Sequence, residues 1–464
     1  MAKPLPSNKF LKGIFAPWCA ESNINDLTVI GEIPQELNGT FFRNGPNPQY
    51  VFSENYHFFE GDGMIHALHF KDGQVSYQNR WIRTKKFNLE REARRSLFAG
   101  FRDFGKSDPL VQNMRADTVN TNIIWHGGKL LALQESTLPY QINPNNLDTL
   151  GIDTFAGQLK NSMTAHPKID PISGELIFYS YINPMETTHI YYYVADKQGH
   201  ITKCEKIEIP YLSLLHDFAI TKDFVIFPLF PLVCNYERML AGNGFYQWEP
   251  ERGAYFGILP RNGTSNDVVW IHVADAAYLA IHSVAAYQED GMIVLDTMLT
   301  DNIPVSANGF KDDTKVFPAY LTRWIFDVKD KSLVSKTQLD HIVGEFPRID
   351  DRFIGNKYNH VYIAATLHAE YGLFDAIVHY NLADDTQQIH DFGVGSMPVE
   401  PIFVPRNVNA LEGDGFLLIY VYREKDKRSD LVILDALHID KEPVAIIQLP
   451  HRVPFGFHGS WVSR

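Results

Sequence analysis

The sequence predicts an all-β protein built as a propeller, and three observations carry that expectation. Short β-rich runs recur throughout the 464 residues, turn signals punctuate them, and long helical periodicity is scarce. In chain order the runs include Ile123-Ile124-Trp125, Leu176-Ile177-Phe178-Tyr179, Phe224-Val225-Ile226-Phe227, Met292-Ile293-Val294-Leu295 and Phe416-Leu417-Leu418-Ile419-Tyr420. The turn signals between such runs include Asn38-Gly39, Gly61-Asp62-Gly63, Lys71-Asp72-Gly73, Gly127-Gly128 and Gly413-Asp414-Gly415. Many short strands with regular turns build a sandwich, a barrel or a propeller. At this length the propeller is favoured, and seven blades would take about 65 residues each. No internal repeat is visible and no low-complexity linker divides the chain, so residues 1–464 read as one domain. Leu89 to Gly105 is the predicted exception, a longer helical stretch.

Composition narrows the function. Hydrophobic residues make up 45% of the chain, enough for a sizeable core, and the 13% aromatic content suits an apolar pocket. A formal net charge of -13 argues against nucleic acid, whose phosphates need a basic surface. The three cysteines, Cys19, Cys204 and Cys234, are odd in number and widely spaced. That pattern fits neither a disulfide framework nor a thiolate zinc site, and it predicts a reducing cytoplasm. No secretory signal is expected from Met1-Ala2-Lys3-Pro4, and no run reaches the roughly 18 apolar residues of a spanning helix.

Four of the 18 histidines sit in or beside β-like runs with little charge around them. They are His166 in Met163–Lys168, His216 in Leu214–Phe218, His282 in Leu279–Val284 and His458 in Pro454–Gly459. Four unrelated core histidines would account for this pattern. So would one metal held by all four. Ligands on the innermost strands of different blades would be spaced by one blade length or a few, and all would point at the central axis. Neutral imidazoles suit iron, zinc, copper or nickel. Structural zinc closes its shell with four ligands, whereas iron would keep room for dioxygen. Composition does not choose between them.

Several segments, taken in order, resemble the carotenoid cleavage oxygenases across nearly the whole chain. They begin with Gly31–Pro48 and His57–Met64. They continue with His166–Asp170, His216–Thr221, Glu345–Asp350, Glu400–Arg406 and His458–Trp461. The resemblance implies a seven-bladed propeller with a loop and helix cap. It also implies one Fe2+ on the axis, dioxygen as co-substrate and an apolar tunnel past the metal. His166, His216, His282 and His458 match the family's iron ligands. Position 283 departs from the family's frequent Phe-His-His, since this chain has Ile281-His282-Ser283. Glu135, Glu345 and Glu400 match the glutamates that stand behind the ligands. A carboxylate there would fix each imidazole's tautomer and ring angle, and offset metal charge without occupying a coordination position. Thr121 matches a residue whose methyl group crowds one open iron position.

The implied reaction is oxidative cleavage of a carbon–carbon double bond in an apolar conjugated substrate, giving two carbonyl products. Stilbene cleavers in this family resemble one another in a lysine just before the first of these glutamates, and this chain has Gln134 there. A neutral amide cannot act as that cation, which favours a carotenoid or apocarotenoid over a stilbene. A non-catalytic binding propeller would require broken ligands, and all seven residues are present. Between Glu92 and Phe104 the apolar Leu97, Phe98, Phe101 and Phe104 alternate with arginines near helical spacing. Such a segment reads either as a cap helix packed on the propeller or as a membrane-facing entrance, through which the protein would be peripheral at the membrane surface.

Overall fold

The computed structural model describes residues 6–463 apart from 104, 182–187, 242–243, 276, 302–304, 307–308, 311–317 and 369–372. Seven antiparallel sheets form a seven-bladed β-propeller. One edge strand of each sheet lines the axis. In chain order the first six are Asn122–His126, Lys168–Ile169, Ala219–Ile220, Leu279–Glu289, Val343–Arg348 and Ile402–Pro405. The seventh, Gly459–Ser463, pairs with Gly39–Pro46, so the C-terminal strand completes the N-terminal blade. This pairing closes the ring without leaving an open sheet edge at the seam.

All five apolar runs are strands. Four of them are second strands of their blades: Leu176–Ser180, Phe224–Leu229, Met292–Thr300 and Gly415–Arg423. Second strands are covered on both faces by the neighbouring blades, so nearly every position is buried and the apolar run is continuous. The outer strand Ile201–Glu208 instead alternates half-buried with exposed residues, as one wet face requires. Two of the turn signals are tight hairpins with both central residues at positive φ. These are Asp72-Gly73 (51° and 71°) and Gly127-Gly128 (56° and 74°).

The helix differs from the expectation. It spans Lys85–Ala93, and Arg94 ends it in the left-handed region at φ 56°. Thr84 caps its start, accepting the Phe87 N–H. The chain then folds back because the Glu90 carboxylate accepts the N–H groups of Leu97 (2.8 Å) and Phe98 (3.1 Å). Lys86 bonds that carboxylate at 2.9 Å and Asp62 at 2.7 Å, which ties the helix to the propeller. Leu97 and Phe98 are consequently buried, packed with Val111, and Phe101 is the exposed aromatic at 44%. Phe104 lies outside the described residues. A continuous apolar helical face over this segment is therefore not formed. Among the described residues, no helix is long and apolar enough to cross a membrane.

Candidate metal centre

The four histidines meet at the axis. Each stands on, or up to three residues before, the inner strand of a different blade, and their candidate ligand nitrogens all lie within 4.8 Å of one another. His166 Nε2 is 2.9 Å from His216 Nε2. The His166 ring lies 4.4 Å from that of His458 and 5.0 Å from that of His282. Local chain chemistry permits the approach. Gly459 follows His458, and a Cβ there would fall 2.5 Å from the Phe42 carbonyl oxygen.

Three glutamates stand behind three of the imidazoles. Glu135 bonds His216 Nδ1 at 2.6 Å, Glu345 bonds His282 Nδ1, and Glu400 bonds His458 Nδ1 at 2.8 Å. A carboxylate only accepts, so each of these Nδ1 atoms carries the proton and each Nε2 turns a lone pair toward the axis. Lone pairs converging in a buried space repel unless a cation lies among them. His282 Nε2 is buried with no hydrogen-bond partner, which is the orphan such a site leaves when only protein is counted. The donor set therefore fits a divalent metal that accepts imidazole nitrogen, iron included. His166 differs, having no carboxylate on its ring among the described residues.

Electrostatics favour the neutral form of His166 and His458. Burial and the neighbouring imidazoles hold His166 well below the ordinary histidine range, and burial lowers His458 to about 4. Burial also depresses His282, but the Glu345 carboxylate outweighs it and the net shift is upward. Burial raises Glu400, yet His458, Arg348 and the Gly459 N–H together bring it below the usual carboxylate value. His216 is the most open of the three glutamate-bonded ligands, with 19% of its side chain exposed against 9% for His282 and 6% for His458.

Thr121 precedes the inner strand Asn122–His126, and its carbonyl accepts the His458 N–H at 3.1 Å. Gln134 does something the sequence did not suggest. Its side-chain oxygen accepts the N–H groups of Thr118 and Val119, both at 2.9 Å, so this oxygen anchors the loop leading to Thr121. Three more residues escaped the sequence reading. Phe346 sits at φ 54° with its ring 5.4 Å from both His282 and His458. The Tyr181 hydroxyl donates to Glu135. Asp217 bridges several ligand segments. Position within a quoted motif was the only available signal for Phe346 and Asp217, and Tyr181 had none.

The family model described as retinal pigment epithelial membrane protein matches residues 15–463. The chain belongs to this carotenoid cleavage oxygenase family. Isoeugenol monooxygenase of Pseudomonas putida is 38% identical over 98% of each chain. The crystal structure of Pseudomonas brassicacearum lignostilbene dioxygenase superposes with a TM-score of 0.94 at 33% identity, covering 100% of both chains. That of cobalt-substituted Synechocystis ACO, an apocarotenoid oxygenase, gives 0.87 at 31% identity over 96% of each chain. The family and fold expected from the sequence are thus the ones found.

Proposed function

We propose that this carotenoid cleavage oxygenase is a non-haem iron(II) dioxygenase that cleaves a carbon–carbon double bond of a carotenoid or apocarotenoid, yielding two carbonyl products. The observation that carries the reading is the set of glutamate-backed imidazoles whose Nε2 atoms converge on the axis. His166, His216, His282 and His458 would hold one Fe2+ per chain, and iron would supply the redox chemistry with dioxygen. Glu135, Glu345 and Glu400 hold the protons on Nδ1 and keep the rings aimed. Thr121 would crowd one side of the metal, leaving the substrate to approach elsewhere. The burial of His166, His282 and His458 would limit the access of bulk water and with it side reactions.

Gln134 supports the carotenoid reading because it supplies no cation to a phenolate. A second reading, cleavage of an aryl-conjugated double bond as in a stilbene, is favoured by the similarity to isoeugenol monooxygenase and lignostilbene dioxygenase. Product analysis on an apocarotenoid, a hydroxystilbene and isoeugenol decides. Higher kcat/KM on the apocarotenoid is expected, and faster cleavage of either phenolic alkene would overturn the substrate choice while leaving the metal chemistry intact. The reading includes a cytoplasmic protein of one domain that meets membrane surfaces peripherally. Exposed Phe101 and Leu110, at 44% and 75%, would form the contact.

A further inference from the structure

We propose that Asp217 is a positioning residue for the metal centre, one carboxylate that ties together the chain segments carrying His166, His216 and His282. The proposal rests on the metal-binding reading above and extends it to a residue that touches none of the imidazoles through a hydrogen bond. Asp217 directly follows His216 and is 5% exposed. Its Oδ1 accepts the Phe218 N–H at 2.8 Å and the Lys168 ammonium at 2.7 Å, and Lys168 lies two residues after His166. The Asp217 Oδ2 accepts the Ser283 N–H at 2.9 Å, one residue after His282.

The Ser283 bond has a cause in the sheet. The pairing of Leu279–Glu289 with Met292–Thr300 slips between Ala280 and Ser283, and again between Ser283 and Ala285. Such bulges bend a strand, re-aim a side chain and leave a backbone group outside the ladder. The residues left unpaired by the first slip are Ile281 and His282. Asp217 accepts the N–H beside the latter and so holds the bulge in the register that points His282 at the axis. A buried N–H without that acceptor would be costly. The contact uses the backbone of position 283 and not its side chain. The centre therefore tolerates serine where relatives that it resembles carry a second histidine. Lys168 offsets the buried charge and carries the tie across to the third blade.

The same carboxylate thus serves three blades at once, its own and those of Lys168 and Ser283. Glu135, Glu345 and Glu400 each aim one imidazole from behind. Asp217 sets the spacing between the strands on which the imidazoles stand. Asparagine is the informative replacement, because it has one oxygen acceptor and would turn an N–H2 toward donors on the other side.

The test loads wild type, Asp217→Asn and Lys168→Met with Fe2+ or Co2+. It measures the rate of metal loss to a chelator, the visible spectrum of the cobalt forms and the melting of the metal-free proteins. Asp217→Asn should lower metal affinity about tenfold or more and alter the cobalt spectrum. Lys168→Met should do so less. Wild-type affinity and spectrum in Asp217→Asn, whatever its melting temperature, would overturn the proposal. If Asp217→Asn does not fold, Lys168→Met decides, and wild-type values there overturn it. A wild-type protein that takes up no metal would overturn the metal reading as well, which separates that failure from this one.

Discussion

At the level of single residues the centre is a matter of protons. Each glutamate bonded to an Nδ1 forces the lone pair onto Nε2, Glu345 and Glu400 from within or beside an inner strand and Glu135 from just past the second strand Lys129–Leu133. Replacing His166, His216, His282 or His458 with alanine should remove most bound metal. Metal content per chain checks this, and full retention in one variant would remove that residue from the ligand set. Glu135→Gln, Glu345→Gln and Glu400→Gln should keep the fold and lower metal affinity or activity about 10–100-fold each. Glu400 should be the most sensitive, since it holds both the His458 ring and the Gly459 N–H at 2.9 Å and is buried. Wild-type metal content and turnover in all three variants would show that the carboxylates do not tune the site.

Among the elements, two loops deliver what the strands support. The loop before Asn122–His126 is pinned by Gln134, so Gln134→Lys is more than a change of charge. It sets an ammonium against two buried N–H donors, and leaving these unpartnered costs about 1–3 kcal/mol each. Urea unfolding should show the loss, whereas Gln134→Glu, which keeps the acceptor, should remain near wild type. A shift in substrate preference on Gln134→Lys can be assigned to charge only if stability holds. The cap behaves similarly. Phe98→Asp buries a charge beside Leu97 and Val111 and should destabilise the protein. Phe101→Asp, whose native ring meets His57 at 5.5 Å, should cost less stability than Phe98→Asp and weaken liposome association. Equal liposome binding by wild type and Phe101→Asp would end the membrane assignment. The helical spacing of Leu97, Phe98 and Phe101 misled the sequence reading, because Glu90 takes up the amides of Leu97 and Phe98 and turns the chain away from helix.

Across the propeller as a unit, the proposed metal joins four blades that are distant in sequence. A ligand that binds only the folded state stabilises it by mass action. Chelation should therefore lower the melting temperature and abolish activity, and re-addition of Fe2+ should restore both. An unchanged melting temperature after complete metal removal would mean that the blades hold the axis without it. The closing pair of Gly39–Pro46 with Gly459–Ser463 should make the ring sensitive at its seam. His458 stands one residue before that strand.

The β class, the strands and most of the turns are legible in the amino-acid sequence alone. Continuous apolar runs mark strands buried on both faces, and Gly-Gly or Asp-Gly pairs mark tight turns, so these signals are local. The candidate ligands and their glutamates are legible too, once the ordered motifs are matched to a family. Where the pieces meet is visible only in the folded chain. Folding assigns one glutamate to each of three histidines, gives His166 none among the described residues, turns the Gln134 oxygen onto backbone, and places Asp217 between three ligand segments. The contacts that join blades at the centre, from Lys168 with Asp217 to Glu135 with His216, link residues 49 to 81 positions apart. Such contacts form only when blades close around an axis, and no short window of sequence contains both partners.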